Sequence, residues 1–176
     1  MIKGIYKEYK RVILVLYILC AAMVCLLCYL HAKPTKDEQI FIFVSGQLMM
    51  KNELTHEMED IAKDFGILEV GSFTYDELDS DFPQIFATKG YYSSDLYILS
   101  KEVIENYKDS GAFKEINENL LELTDNYITN SDGEVIAIAL NESMYILVGQ
   151  KRNKPDDVIT ELVKCIFDNG DDLFEK

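Results

Sequence analysis

One segment of the chain has residue types and a spacing that resemble a catalytic metal site, His56-Glu57-Met58-Glu59-Asp60. In the helical pattern H-E-x-x-H, two histidines one turn apart bind zinc while the glutamate acts as general base. Asp60 stands here at the position of the second histidine. Because Met58 predicts that the opposite face of the helix is buried, we expect His56 and Asp60 to face water. The only other histidine, His31, lies at the edge of an apolar segment. The sequence therefore offers too few histidine ligands for a three-ligand zinc site, and we predict no metal site.

Other catalytic and cofactor-binding patterns are missing from the sequence. There is no G-x-S-x-G elbow for a nucleophilic serine, and Gly46 and Gly71 stand alone rather than in a phosphate-binding loop. Acidic groups at 76–81 and 168–172 are candidate calcium ligands. Neither follows the D-x-[DN]-x-[DN]-G pattern, and runs of acid are usually a solvated face. We therefore predict no catalytic residue, no cofactor and no enzymatic activity.

The cysteines add little chemistry. Cys20, Cys25 and Cys28 lie in the apolar segment near the N-terminus, where the C-x-x-C spacing of the last two has no hydrophilic ligand beside it. We interpret them as small apolar residues rather than as a metal or redox pair. Cys165 falls on the apolar stripe of the last predicted helix and is expected in the core. A single thiol outside the apolar segment can form no internal disulfide.

The longest apolar segment runs from Val12 to Leu30 and contains nineteen residues without a charge. As a helix it would be about 28 Å long, close to the ~30 Å hydrocarbon core of a bilayer. Eleven of its residues are Leu, Ile or Val, and together these favour insertion by about 3–7 kcal/mol. We therefore predict a transmembrane helix at 12–30, with the lipid bilayer as its partner.

Charge predicts the orientation of this helix. Four basic residues and one acidic residue give residues 1–11 a charge of +3, which leaves −17 for residues 33–176 of a chain whose net charge is −14. Because basic residues beside a span stay cytoplasmic, we expect a cytoplasmic N-terminus and an acidic domain outside the plasma membrane. Cleavage after Ala32, as in a signal peptide, is the alternative, although the apolar stretch exceeds the usual length of roughly 7–15 residues. A domain this acidic repels nucleic acid, which we exclude as a partner.

The rest of the chain predicts a tether and one domain. Residues 31–38 are polar and contain Pro34, as expected of a short linker, and 39–176 have the size of one compact domain. Strands alternating with helices require crossover connections and parallel pairing. The first half of the domain shows this alternation, with strands at 40–44, 67–75 and 96–99 and helices at 54–65, from Asp81 to Gly90, and from a cap at Ser100 to Gly111.

The second half of the domain favours antiparallel pairing. Two β-rich runs, 135–140 and 144–148, are separated by Asn141-Glu142-Ser143, which is typical of a hairpin. Pro155 then begins a last helix with acidic residues in its first turn. The sequence thus predicts a small three-layer α/β domain with a mixed but mostly parallel sheet.

A candidate ligand site follows from this topology. In open α/β sheets, ligands bind beyond the carboxyl ends of the parallel strands. The residues expected there are Ser45, Gly46, Gln47, Tyr75, Asp76 and Ser100, with Tyr91 and Tyr92 on a loop that enters the third strand. The sequence leaves open which edge of the sheet that loop reaches. Ordinary turn residues would explain the same positions, so a purely structural interpretation competes with the ligand site.

Two stretches resemble bacterial extracellular solute-binding proteins. Residues 82–99 (FPQIFATKGYYSSDLYIL) contain a helix leading to an S-D-hydrophobic strand, and residues 105–116 (ENYKDSGAFKEI) contain G-A-hydrophobic-x-x-hydrophobic. The resemblance covers about residues 39–150 and implies the fold of type 2 periplasmic-binding proteins. Those proteins close a ligand between two lobes and are at least twice as long, so this chain corresponds to a single lobe. No specific motif transfers the family's ligand contacts to this sequence.

Two functions of different classes follow from these observations. The first is a membrane-anchored extracytoplasmic recognition domain for a small solute or a peptide. The second is a structural subunit that interacts with a membrane protein complex and has no small-molecule ligand. Polar and aromatic residues converging on a concave pocket would favour the first function, and a flat apolar patch would favour the second.

Overall fold

A computed structural model describes residues 2–31, 33–47, 49–151, 154–170 and 173–175. The chain divides into two units, Met1–Thr35 and Lys36–Lys176. The first unit consists mainly of helix α1 (Ile2–His31), whose apolar side chains from Val12 to Tyr29 are exposed. By length and composition this helix is long and apolar enough to cross a membrane. Ala32, the alternative cleavage position, lies outside the described residues.

The second unit contains the predicted alternation of strands and helices, with small shifts at the element ends. A 3₁₀ turn, Lys36–Glu38, precedes the first strand. The strands are β1 (Gln39–Ser45), β2 (Met49–Met50), β3 (Glu69–Tyr75), β4 (Leu96–Ser100), β5 (Tyr127–Thr129), β6 (Val135–Ala139), β7 (Met144–Val148) and β8 (Phe174–Glu175). The helices are α2 (Asn52–Lys63), α3 (Phe82–Ile85), α4 (Tyr91–Ser93), α5 (Lys101–Tyr107), α6 (Glu118–Leu121) and α7 (Asp156–Asp168), with a π-turn, Phe86–Gly90, between α3 and α4.

Six strands form one mixed sheet in the order β3-β1-β4-β7-β6-β5. β1 pairs in parallel with β3 and β4, and its register against β3 runs from Gln39 opposite Glu69 to Ser45 opposite Tyr75. The pairs β4–β7, β7–β6 and β6–β5 are antiparallel. The prediction of a mostly parallel sheet is therefore wrong. The short turn between β6 and β7 requires these two strands to be antiparallel. The hairpin packs with β7 beside β4, and β7 runs in the opposite direction to β4. A separate antiparallel pair, β2 with β8, was also not predicted.

β1 is buried, and its side chains alternate between two cores. Ile40, Ile42 and Val44 join an aliphatic cluster with residues of α2, α6 and α7. Phe43 joins a second cluster with residues of α3, the π-turn and α5. Because successive side chains of a strand point to opposite faces, the two clusters lie on opposite sides of the sheet. This gives helices, sheet and helices as the three layers of the predicted architecture.

The second core is largely aromatic and surrounds the π-turn. The Phe43 ring centroid lies 5.6 Å from that of Phe86 and 6.3 Å from that of Tyr97. The Tyr97 hydroxyl donates to the Gly90 carbonyl at 2.9 Å. A Cβ at Gly90 would lie 2.9 Å from the Phe86 ring, so glycine allows the close approach of backbone and ring. Gly90 was predicted to end a helix capped by Asp81, but the π-turn leads on into α4 and Asp81 makes no side-chain cap bond.

The Ser94-Asp95 pair joins α4 to β4 and extends the hydrogen bonding of the sheet. The Asp95 N–H donates to the Phe41 carbonyl at 2.8 Å, and the buried Asp95 carboxylate accepts the Phe41 N–H at 2.9 Å. On the other side of β4, the Gly149 N–H donates to the Asp95 carbonyl at 2.8 Å. A Cβ at Gly149 would lie 2.5 Å from the Ser94 carbonyl oxygen. The pair therefore locks β1 and the end of β7 to the start of β4, and glycine at 149 permits this.

Replacing Gly149 with alanine is expected to destabilise the fold by about 3 kcal/mol, the upper part of the range for overpacked sites. The added methyl group would meet a backbone carbonyl that the neighbouring strands hold in place. Gly71→Ala is the matched control, because its Cβ would lie 2.8 Å from the partly exposed Phe41 ring, which can turn away. We expect the free energy of unfolding of this control to fall by about 1 kcal/mol or less. Urea unfolding of the full-length protein in detergent, followed by circular dichroism, measures both, and equal losses would contradict the role given to Gly149.

Candidate functional site

The carboxyl ends of the three parallel strands meet at one edge of the sheet, which we call the carboxyl edge. The Ser45 hydroxyl accepts the Ser100 backbone N–H at 3.0 Å, and the Gly46 N–H donates to the Tyr75 carbonyl at 2.9 Å. The Ser100 hydroxyl donates to the Glu77 carboxylate at 2.7 Å and caps the first turn of α5, as predicted. The residues predicted for this edge are thus brought together, and their polar groups bind one another.

Gln47 and Asp76 complete the carboxyl edge and also form a pair. The Gln47 side-chain amide donates to the Asp76 carboxylate at 2.8 Å, and the Leu78 N–H donates to its second oxygen at 3.0 Å. These hydrogen bonds hold the pKa of Asp76 below its usual value, and the one from the Leu78 N–H has the largest effect. The interpretation of these positions as turn and cap residues therefore accounts for their polar groups without a ligand.

A cavity of about 250 Å³ lies beside the carboxyl edge, between the loop after β3 and helix α5. Its charged lining residues, Glu77, Asp79 and Glu102, are all acidic, and Phe82 and Tyr107 add aromatic surface. This charge suits only a cation. Acidic side chains on an acidic domain are usually a solvated surface, and the cavity gives no further sign of a ligand.

An open cleft of about 590 Å³ lies at the turn between β5 and β6 and is mainly polar. Asp109 fixes this turn, since its two carboxylate oxygens accept the backbone N–H and the hydroxyl of Ser131 at 2.8 Å each. These hydrogen bonds lower the pKa of Asp109. The carboxylate thus serves the turn, and the cleft offers little apolar surface to a ligand.

Tyr91 and Tyr92 lie at the opposite edge of the sheet, which we call the amino edge. They belong to α4, which enters β4 at its amino end, where the parallel strand β1 also begins. Their ring centroids are 4.8 Å apart in an edge-to-face arrangement, and Tyr92 is 64% exposed. The loop with Tyr91 and Tyr92 therefore reaches the amino edge, which the sequence had left open. Of the eight predicted site residues, six lie at the carboxyl edge and these two at the amino edge.

Two cavities of about 310 Å³ each open at the amino edge, and both are lined by Phe41 and Ser93. Together we call them the lysine–aromatic groove. Its lining residues are Lys36, Gln39, Phe41, Phe73, Lys89, Tyr92, Ser93, Ser94 and Lys151. Among the residues that the structure describes, three of the lining residues are lysines and none is acidic, whereas residues 33–176 as a whole carry −17. The groove is thus a local reversal of the charge of the domain.

Aromatic rings position two of the three lysines. Lys89 Nζ lies 4.8 Å from the centroid of the Phe73 ring, and Lys151 Nζ lies 5.0 Å from that of the Tyr91 ring. Both contacts have the geometry of cation–π interactions. The π-turn supports the first contact because Lys89 lies within it, and such turns are frequent at functional sites.

Two carboxylates border the groove without lining it. The Glu69 carboxylate accepts the Gln39 side-chain amide at 2.6 Å, and the buried Asp95 carboxylate accepts the Phe41 N–H. One oxygen of each carboxylate therefore accepts a hydrogen bond from a backbone or amide donor of the protein. The lysines carry the charge of the groove's lining, and these two carboxylates lie beside it.

Of the residues that line this groove, Tyr92 alone was among the predicted site residues. Lys36, Lys89 and Lys151 come from the 3₁₀ turn, the π-turn and the segment after β7, and no spacing rule connects them. A usable signal was the contrast between these lysines and the acidic remainder, read together with the aromatic residues at the amino ends of β1 and β4.

The residues considered earlier for metal or thiol chemistry lie outside the groove. His56 is 77% exposed on α2, with Nδ1 3.1 Å from the Glu59 carboxylate. Asp60 accepts the Lys63 ammonium at 2.6 Å, and this contact lowers the pKa of Asp60. Among the described residues, no three His, Cys, Asp or Glu side chains are grouped as metal ligands. Cys165 is buried, and burial raises the pKa of its thiol to about 11.

Replacing Gln47 with alanine is expected to raise the pKa of Asp76 toward the ordinary carboxyl value, because one of its hydrogen bonds is lost. A carboxylate whose folded pKa is depressed stabilises the fold above its unfolded pKa, and this contribution is lost as the pH falls. The variant should therefore be less stable than the wild type at neutral pH, and the difference should vanish below the folded pKa of Asp76. Carboxyl-detected NMR titration measures the pKa.

Gln39→Ala is the control for this experiment, since Gln39 donates to Glu69 rather than to Asp76. It should leave the pKa of Asp76 unchanged. A pKa of Asp76 that stays depressed in the Gln47 variant would show that the backbone donor alone sets it.

Comparison with known proteins gives no further assignment. No protein-family model matches the chain, and no curated protein sequence matches it. The resemblance to solute-binding proteins therefore stays an expectation from the residues that carry it, and the function has to be argued from the groove.

Proposed function

We propose that this protein is a membrane-anchored, extracytoplasmic recognition domain without enzymatic activity, and that it binds its ligand in the lysine–aromatic groove. The observation that carries this proposal is the convergence of Phe41, Phe73 and three lysines on two cavities that share Phe41 and Ser93. Ligand sites typically combine an apolar wall with a few polar groups that fix orientation. At the carboxyl edge, by contrast, the predicted polar residues bind one another.

The membrane anchor in this proposal is α1. Its apolar side chains are exposed, as expected of a helix whose solvent is lipid. The charge of +3 on residues 1–11 and of −17 on residues 33–176 supports a cytoplasmic N-terminus and an external domain.

The resemblance to one lobe of a solute-binding protein also supports recognition. The stretch 82–99 that carries the resemblance supplies Lys89, Tyr92, Ser93 and Ser94 to the groove. The part of the sequence most similar to a ligand-binding family is therefore the part that shapes the proposed site.

A structural subunit of a membrane protein complex is the second candidate function. In the described part of the chain, β3 pairs only with β1, so this seven-residue strand is an edge of the sheet. Leu68, immediately before it, is 56% exposed. Exposed edge strands can pair with another chain, which would suit a subunit of an assembly.

The proposed topology predicts which introduced cysteines react from outside. Glu142→Cys, in the exposed β6–β7 turn, should react with a membrane-impermeant maleimide in intact cells. Tyr9→Cys should react only after permeabilisation. The wild type is the control, because Cys165 is 5% exposed and its thiol pKa is raised to about 11. The reverse pattern of labelling would contradict the orientation.

Native mass spectrometry of the full-length protein, gently extracted from its own membrane, tests recognition. We expect a small mass retained on the wild-type monomer and lost from the double variant Lys89→Glu/Lys151→Glu, whose groove lysines are reversed in charge. Lys63→Glu/Lys164→Glu is the matched control, because both lysines lie on exposed helix surfaces away from the groove. It should retain the mass.

Two results would count against this function. A wild-type monomer without any small mass, or equal retention by both double variants, would remove the groove as the site. A larger assembly containing other polypeptides and no small ligand would favour the structural subunit.

A further inference from the structure

We propose that the ligand of the lysine–aromatic groove is a small anionic molecule with an apolar body, such as an aryl or alkyl carboxylate. This inference rests on the proposed function and names the chemical class that the same site takes. The apolar body would lie against Phe41 and Phe73, and the anionic group would contact the lysines.

The apolar wall of the groove is supported from several sides. A Cβ at Gly71 would lie 2.8 Å from the Phe41 ring, so the absence of a side chain there lets the ring lie close to β3. The Phe73 ring lies 5.7 Å from that of Phe43 in the buried core and stacks at 6.3 Å on that of Tyr75. The Phe73 ring is therefore held by two neighbouring rings and needs little ordering when a ligand binds.

The positive charge lies at the margin of this wall. Lys89 Nζ is 4.8 Å from the Phe73 ring centroid, so an ammonium and an apolar surface adjoin within one cavity. In the second cavity Lys151 lies above Tyr91, and Lys36 is also a lining residue. A lysine binds carboxylate, sulfonate or phosphate as a point charge, without demanding the paired geometry that arginine favours.

The charge of the whole domain limits the size of the anion. At physiological salt, charges interact over about 8 Å before screening weakens them. A small anion inside the groove therefore meets the groove lysines and the two bordering carboxylates, whereas a polyanion would also meet the other carboxylates that give residues 33–176 their charge of −17. Each cavity, at about 310 Å³, lies at the lower end of the range of small-molecule sites.

Three probes of nearly equal shape test the class of ligand on the full-length protein in a non-ionic detergent. They are 4-(trifluoromethyl)phenylacetate, its neutral amide and 4-(trifluoromethyl)phenethylamine, followed by fluorine NMR with empty micelles as the blank. We expect the carboxylate to bind at least about 10-fold more tightly than the amide or the amine. Its affinity should also fall as salt is raised.

Variants locate the binding and identify its cause. Lys89→Gln should lower the affinity for the carboxylate probe about 3-fold, and Lys89→Gln/Lys151→Gln should lower it about 10-fold, as expected for partly exposed ion pairs. The affinity of the amide should not change. Lys63→Gln/Lys164→Gln is the control of equal charge and should behave as the wild type. Ser93→Phe, at an exposed position that lines both cavities, should abolish binding of every probe.

The outcomes separate the two proposals. If carboxylate and amide bind equally and Ser93→Phe removes both, the groove is a site but the anionic class is wrong. If no probe binds, or if Ser93→Phe leaves binding intact, both the class of ligand and the groove as a recognition site are overturned.

Discussion

The burial of β1 between two parallel neighbours is the constraint on which this fold depends. Its side chains leave toward both cores, with Ile42 in one and Phe43 in the other. β3 lies on one side of β1 and β4 on the other. Right-handed crossovers that travel in opposite directions along a sheet must use opposite faces. α2 therefore covers one face and the segment from α3 to α4 covers the other, so one strand accounts for all three layers.

The same constraint gives the two edges of the parallel strands different properties. At the carboxyl edge, the strands lead into loops and helix starts whose polar groups need partners, and Ser45, Ser100 and Glu77 provide them for each other. At the amino edge, the chain returns through a π-turn that is packed by aromatic rings. The rings that extend past the core, Phe41 and Phe73, leave an apolar wall at this edge.

Local patterns of the sequence predicted the elements well, because hydrophobic period and caps act over a few residues. β1, β4, the β6–β7 hairpin and the Ser100 cap are where those patterns place them. The direction in which neighbouring strands pair was predicted less well, because it depends on where the β6–β7 hairpin joins the sheet. The π-turn was missed because a contact that supports it, the hydrogen bond from the Tyr97 hydroxyl to the Gly90 carbonyl, joins the turn to a strand that follows it in the chain.

The candidate site was likewise predicted in part, with local features found and long-range ones missed. The rule that ligands bind at the carboxyl ends of parallel strands correctly placed Ser45, Tyr75 and Ser100 side by side, since parallel strands end together. It could not show that their hydrogen bonds are already used. Lys89 and Lys151 were not selected because the two cavities that they line come to lie side by side only after β4 and β7 have paired, which brings the π-turn and the end of β7 to the same edge.

In the proposed function, recognition at the amino edge requires that one unit build the whole site. In a two-lobed solute-binding protein the ligand is enclosed because the second lobe supplies the opposite wall. Residues 36–176 form one unit, and the groove must use walls that this unit builds itself, from β1, β3 and the π-turn. Such a groove leaves part of its ligand in water, so less apolar surface is buried than in an enclosed site, and contacts with the lysines must supply more of the binding free energy.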